Sequence, residues 1–218
     1  MFRDRTDAGR RLAELVADRL ADAPCSRDAI DTVVMGLPRG GIPVAALVAE
    51  GLGVPLGVLV VRKVGVPWQP ELALGAVGEN GAVVLNDAVV SASGLGPEEV
   101  DTLVRQASRE VERVAAELRP AVDPPAITDR LVIVVDDGVA TGATARAAAG
   151  VLRRRGSGPV ILATATAPPS ICASLRSCFD DVICLETPRR FGSVGQHYEH
   201  FEQVSVGEVC RLLNGAAS

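Results

Sequence analysis

Two adjacent acids, Asp136 and Asp137, stand between an apolar run and a turn of small residues. The run is Leu131 to Val135, rich in β-branched residues. The turn carries Gly138, Ala140, Thr141, Gly142, Ala143 and Thr144, and an Ala-rich segment from Ala145 to Leu152 follows. This order predicts a buried strand, a tight turn and a helix N-terminus. Such a turn offers backbone N–H groups and two hydroxyls to an anion, helped by the positive end of the helix dipole. The acids fall at the carboxyl end of the strand, where open parallel sheets place their ligands. An ionised carboxylate only accepts hydrogen bonds and repels phosphate. A ligand that suits both halves therefore carries hydroxyls as well as phosphate, as a sugar phosphate does. The plainer alternative is that the acids cap the next helix. Both lie well before it, and a cap needs one residue. A nucleotide-hydrolysing P-loop is a poor fit, because Gly142 is followed by Ala143 and Thr144 with no lysine.

A second strand–turn–helix unit precedes this one. Thr32 to Gly36 reads as a buried strand, Leu37-Pro38-Arg39-Gly40-Gly41 as the turn, and Ile42 to Glu50 as the helix. The turn is either an ordinary connection or a second anion site, with N–H groups at Gly40 and Gly41 and charge from Arg39. Pro55 to Arg62 reads as a further strand ending in Arg62-Lys63. A loop from Val64 to Leu72 follows, with two prolines, the only tryptophan, Trp68, and a single acid, Glu71. A tryptophan in such a loop is a candidate for a moving lid, although a lone Trp is most often core. Glu71 is a candidate metal, base or substrate contact. Thr187 to Phe201 holds both histidines (His197 and His200), the only tyrosine and two of the four phenylalanines. Phe191 and Tyr198 there either line an apolar acceptor pocket or pack against the N-terminal helix. The histidines could exchange protons near neutral pH.

The elements that must hold these residues can be read from periodicity. Arg3 to Ala21 is amphipathic; its arginines (Arg3, Arg5, Arg10, Arg11) read as a solvated face, or more sharply as a basic lid near a phosphorylated substrate. Glu79-Asn80-Gly81 marks a hairpin within Gly75 to Asp87. Pro97 to Leu118 is a long helix with Pro at its first position and acids in its first turn. Pro120 to Pro125 is a linker. Arg153 to Arg155 before Gly156 end a helix with favourable cations. Val160 to Thr166 and Asp181 to Leu185 are strands around a helix from Pro168 to Arg176. Alternating strands and helices predict an α/β, doubly wound, mostly parallel sheet. The 218 residues suit one such domain. A net charge of −5 argues against a nucleic-acid or membrane-surface binder. Five cysteines without CxxC or Cys/His metal spacing suit free thiols in a reducing cytosol. No apolar run approaches the roughly eighteen residues of a membrane span. The N-terminus lacks the apolar core of a signal peptide.

Val132 to Thr144, VIVVDDGVATGAT, resembles the phosphoribosyl-pyrophosphate (PRPP) signature of type I phosphoribosyltransferases: four apolar residues, two acids, a glycine-bearing turn and Thr-Gly-x-Thr. The resemblance implies that family's fold over nearly the whole chain, with a core at about 28–186 and a small variable hood from about 1–27 and 187–218. It implies transfer of 5-phosphoribosyl from PRPP to a nucleobase or related small acceptor, with release of pyrophosphate. Asp136 and Asp137 would bind the ribose hydroxyls and, with Lys63 and Arg39, form the catalytic group. Ala140, Thr141, Gly142, Ala143 and Thr144 would hold the 5′-phosphate. Arg39, Gly40, Gly41, Arg62 and Lys63 would hold pyrophosphate, in a loop that often contains a non-proline cis peptide. Mg²⁺ is the implied cofactor, held mainly by ligand oxygens and reaching Asp136 and Asp137 through water at most. A cytoplasmic homodimer is expected. One position departs from part of the family: the 6-oxopurine enzymes carry an acid where this chain has Ala140, which speaks against a hypoxanthine–guanine acceptor. Two alternatives stay open, a PRPP- or nucleotide-binding regulator with little catalysis and transfer to a non-nucleobase alcohol or amine.

Overall fold

The computed structural model describes residues 1–21, 31–118 and 124–215, the side chains of Pro70 and Glu71 excepted. Cys25, most of the Pro120–Pro125 linker and the Glu71 side chain thus lie outside the described residues.

Uninterrupted apolar runs make the central strands. β1 (Thr32–Gly36), β6 (Leu131–Asp136) and β7 (Val160–Thr166) are buried along essentially their whole lengths. A strand buried on both faces must be covered twice, which favours a parallel sheet with helices on each side. With β2 (Leu56–Val58) and β8 (Asp181–Glu186) these strands form a five-stranded parallel sheet ordered β2-β1-β6-β7-β8. The expected doubly wound α/β architecture is therefore present. β6 is the central strand; Val135 lies beside Gly36 of β1, and Asp136 beside Thr164 of β7. Alternate side chains feed two cores. Ile133 and Val135 pack on the side of α1 (Arg5–Ala21) and α2 (Gly41–Leu52). Val132 and Val134 pack on the side of α5 (Ala143–Arg154) and α6 (Pro169–Leu175).

The expected strand from Pro55 to Arg62 is not one strand. β2 ends at Val58, and after Leu59 and Val60 the chain enters β3 (Val61–Val66) of a separate sheet. β3 pairs antiparallel with β4 (Gln69–Gly78), which pairs antiparallel with β5 (Val83–Leu85). The run is apolar throughout, so periodicity carries no mark of the switch. Local hydrogen bonds make it: Leu59 donates to the Gly36 carbonyl at 3.0 Å, and Val60 to the buried Glu79 carboxylate at 3.0 Å. The predicted loop from Val64 to Leu72 is likewise mostly strand. Val64 and Val66 are buried, and only Pro67 and Trp68 lie between the two strands. The Glu79-Asn80-Gly81 turn is as expected, with Asn80 and Gly81 both at positive φ (58° and 72°).

Long helix α4 (Pro97–Leu118) matches its predicted span and buries Val100, Ala107, Val111 and Leu118. Two helices carry no clear mark in the sequence. α3 (Asp87–Ser93) is one short stretch capped by the Asn86 side chain, which accepts from the Val89 amide at 3.3 Å. α7 (Val206–Gly215) buries only Val209 and Leu213. No helix among the described residues is long and apolar enough to cross a membrane.

Candidate functional site

The carboxyl ends of β1 and β6 are neighbours, so the turns that leave them must share space. Leu37, just past β1, donates to the Val135 carbonyl of β6 at 2.9 Å. The chain then turns through a cis Pro38–Arg39 peptide, as the resemblance implied. Gly40 comes so close to Asp137 that a Cβ on it would sit 2.1 Å from Oδ2. A Cβ on Gly41 would sit 2.7 Å from the Val135 carbonyl oxygen and 3.0 Å from Cα of Asp136. The glycine pair is thus required by the contact between the two turns. The Gly41 amide is not offered to a ligand: it donates to the Leu37 carbonyl at 3.0 Å. Arg39 is exposed beside them.

The signature turn is held open and firm. Gly142 has φ 74°, a left-handed value that favours glycine, and no side chain caps α5. The Ala143 amide, the first of this twelve-residue helix, donates to Thr141 Oγ1 at 3.4 Å, which leaves the amides that follow it to face the turn. Arg146 braces this turn, donating to the Thr141 carbonyl at 2.9 Å and to Ser174 Oγ of α6 at 2.8 Å. Thr141, Ala143 and Thr144 line a cleft of about 590 Å³ whose opposite wall is β3, with Arg62, Lys63 and Pro67. The structure thus brings the proposed phosphate turn and the basic residues of β3 to one cleft. Arg62 is turned partly aside, 3.6 Å from Glu110 of α4. Trp68, at the hairpin tip, is 64% exposed.

Asp136 ends β6 and Asp137 follows it, just ahead of this turn. The Asp137 amide donates to Asp136 Oδ1 at 3.0 Å. Burial pushes the Asp136 carboxyl well above the usual carboxylate range, and the neighbouring Asp137 adds to this. Burial also raises Asp137, but Arg5 opposes it. Arg5 Nε donates to Asp137 Oδ2 at 2.8 Å, and both side chains are nearly buried. The structure therefore corrects the reading of Arg5 as part of a solvated face. A signal did exist: Arg5 is in helical phase with Ala8, Leu12 and Val16, the buried stripe of α1. Arg3 and Arg11 do face solvent, with Arg11 3.6 Å from Glu186 and its guanidinium over Phe2.

The aromatic residues after β8 pack mainly on one another and on α1. Tyr198 is buried rather than half-exposed; its hydroxyl donates to the Asp137 backbone carbonyl at 2.6 Å. Burial pushes its phenol above the ordinary value. Its ring packs on Phe2 and Phe201, with centroids 5.2 and 4.9 Å away. Phe191 stacks on His197 at 5.0 Å. Tyr198 thus belongs to a buried cluster with Phe2 and with Ala8 of α1, whereas Phe191 is half-buried against His197. Gly138 brings the signature turn against Val194 of the same segment.

Comparisons with known proteins match this geometry. The phosphoribosyl transferase domain model matches residues 4–199. Relatives in two strains of Mycobacterium tuberculosis, each named a "Putative phosphoribosyl transferase", are 47% identical over 216 residues. That match covers 99% of this chain and 47% of theirs, so the chain spans about half the length of the curated relatives it matches. The crystal structure of TT1426 from Thermus thermophilus superposes with a TM-score of 0.86 at 36% identity, over 100% of this chain and 99% of that one. AQ2163 from Aquifex aeolicus is 12% identical with a TM-score of 0.53, over 88% of this chain and 78% of that one, and shares the fold alone. On the signature acids, the turn around them and a match over most of its length, the chain belongs to the phosphoribosyl transferase domain family.

Proposed function

We propose that the domain transfers the 5-phosphoribosyl group of PRPP to a nucleobase or related small acceptor, releasing pyrophosphate. The observation that carries this reading is the meeting of the two turns, with Gly40 against Asp137 and the open end of α5 alongside. The arrangement sets acceptors for hydroxyls beside two turns suited to anions, with Lys63 across a cleft from Thr141 and Thr144. In this reading Asp136 and Asp137 accept the ribose hydroxyls, residues 140–144 hold the 5′-phosphate, and Arg39 and Lys63 hold pyrophosphate. Loss of pyrophosphate leaves positive charge on the sugar ring. Fixed carboxylates at the ribose hydroxyls stabilise that charge without moving. Lys63 and Arg39 stabilise the departing anion, and closure of the β3–β4 hairpin keeps water from competing with the acceptor.

The donor set suits Mg²⁺. Two carboxylates sit where a hard cation could be reached. Among the described residues no group of three or more His, Cys, Asp and Glu side chains could cage a metal, so most of its ligands would come from PRPP and water. When bound, Mg²⁺ supplies neutralising charge to the pyrophosphate.

Calorimetric titration with PRPP, with and without Mg²⁺, tests the donor site. The expected result is Mg²⁺-dependent binding that the Asp136→Asn/Asp137→Asn double variant lacks. No binding to folded wild-type protein would sink the reading. Pyrophosphate release across a panel of bases, alcohols and amines then finds the acceptor. Tight binding without release for any of them would favour a PRPP-binding regulator.

A further inference from the structure

Asp137 is held from four directions by groups on different parts of the fold. Arg5 of α1 donates to Oδ2 at 2.8 Å, with the two side chains 13% and 11% exposed. Gly40 crowds the same oxygen from the other side. The Tyr198 hydroxyl donates to the backbone carbonyl at 2.6 Å. The Asp136 carboxylate accepts from the backbone amide at 3.0 Å. Arg5 is equally constrained: its Nη1 donates to the Glu202 carbonyl at 2.7 Å, and its guanidinium lies 3.9 Å from the ring centroid of Phe201. Phe201 packs on Tyr198, which closes the ring of contacts back to Asp137.

A guanidinium engaged by a carboxylate, a carbonyl and a ring face is not placed to capture a ligand anion. Its single Nε hydrogen bond instead occupies one oxygen of the carboxylate and sets which way that oxygen points. Resting on the phosphoribosyl reading above, we propose that Arg5 is a positioning residue for the donor: it occupies Oδ2 of Asp137 and orients the group so that Oδ1 meets a ribose hydroxyl. Phe201 acts behind it as the support that keeps the guanidinium in plane. The segment after β8 is thereby tied to the acid that would meet the ribose. Carboxylate orientation matters here because small misplacements are costly in a pre-organised site.

The test compares two ligands that share the cleft but differ in hydroxyls. Ribose 5-phosphate and Mg²⁺-pyrophosphate are titrated separately into wild type, Arg5→Gln, Arg5→Lys and Phe201→Leu. The expected result is a loss of ribose 5-phosphate affinity of about ten- to a hundredfold in Arg5→Gln, the range of one charge-assisted hydrogen bond. Pyrophosphate affinity is expected to stay within about twofold, since that ligand carries no ribose hydroxyl and would meet Asp137 only through water on Mg²⁺. Arg5→Lys restores part of the loss, and Phe201→Leu shows a smaller loss of the same sign. Equal weakening of both ligands makes Arg5 a merely structural ion pair and overturns the proposal, as does unchanged ribose 5-phosphate binding. If Arg5→Gln fails to fold, Phe201→Leu alone decides, because it leaves the ion pair in place. Failure of wild type to bind either ligand defeats the phosphoribosyl reading itself, and this inference falls with it. Wild-type binding of both with no effect of the variants defeats the inference alone.

Discussion

The two walls of the cleft are built differently. One is the end of β6, a strand buried on both faces at the centre of a parallel sheet. Its acids and its turn are fixed by Arg5, Gly40, Tyr198 and Arg146. The other wall is β3, in a three-stranded antiparallel sheet, with Arg62 exposed, Lys63 and Gly65 half-buried, and irregular pairing around Gly65. Its tip carries an exposed tryptophan. The first wall holds geometry that a sugar's hydroxyls need, and a small error there is costly. On the phosphoribosyl reading the second would present cations to the pyrophosphate charge and admit the ligands. On that reading the difference gives orientation to one wall and access to the other.

The sharpest break of the fixed wall is chemical. Asp137→Asn keeps the shape but removes the charge that faces the developing cation. Turnover is expected to fall by about 10²–10³-fold, the usual effect of removing one electrostatic stabiliser. Pyrophosphate release measures it, and an unchanged circular dichroism spectrum shows that the fold is kept. Full activity would remove Asp137 from the mechanism. A steric break should come next. In Gly40→Ala the new methyl would overlap the Asp137 carboxylate, which is itself held by Arg5 and cannot easily yield. The expected destabilisation is about 1–3 kcal/mol, as for overpacking elsewhere, together with loss of ribose 5-phosphate binding. A Gly40→Ala variant that melts and binds like wild type would show that the turns do not meet this closely.

The same contrast explains what the sequence could reveal. Around the fixed wall, local pattern and tertiary role agree. An apolar run, two acids and Thr-Gly-x-Thr specify strand, site and helix start together, because parallel sheets deliver ligands to strand ends. At the β3 wall the pattern misleads. Val58 to Val61 is uniformly apolar, so nothing marks the chain's passage from one sheet to another at Leu59 and Val60. Gly65, Pro67 and Pro70 look like a loop, but pairing with β4 overrides them and leaves only a tight tip. The aromatics after β8 are ambiguous for a different reason. Whether Tyr198 faces a ligand or the core depends on Phe2, at the far end of the chain. Arg5 alone could have been caught locally, as a charge within the buried stripe of α1.

A pH experiment separates the two acids on the fixed wall. The Asp136 carboxyl is held above its ordinary value of 3.8 by burial and by Asp137. The folded protein therefore holds a proton there that the unfolded chain releases above pH 3.8. Stability falls as pH rises through that window, and at neutral pH Asp136 is a net destabilising group. Asp136→Asn keeps an oxygen for the Asp137 amide and removes the charge. Its melting temperature at pH 7 is expected to exceed that of wild type. The gain should shrink at acidic pH, as wild type itself takes up the proton. Calorimetric scans at both pH values measure this, and a lower melting temperature at pH 7 would contradict the assigned direction.

The smallest stability effect belongs at the β3 wall. Trp68 is 64% exposed at the β3–β4 tip, so removing it takes little apolar surface out of the core. Trp68→Ala is expected to change stability by less than about 0.5 kcal/mol, as for most surface positions. A functional change in the same variant would then have no structural excuse. If the tip closes over bound PRPP, losing the indole weakens donor binding and lets water compete, so Trp68→Ala should hydrolyse PRPP faster relative to transfer. Paired assays of ribose 5-phosphate formation and acceptor ribosylation give that ratio. An unchanged ratio together with unchanged donor affinity would make the tryptophan a bystander, and leave Lys63 as the part of this wall that meets the ligand.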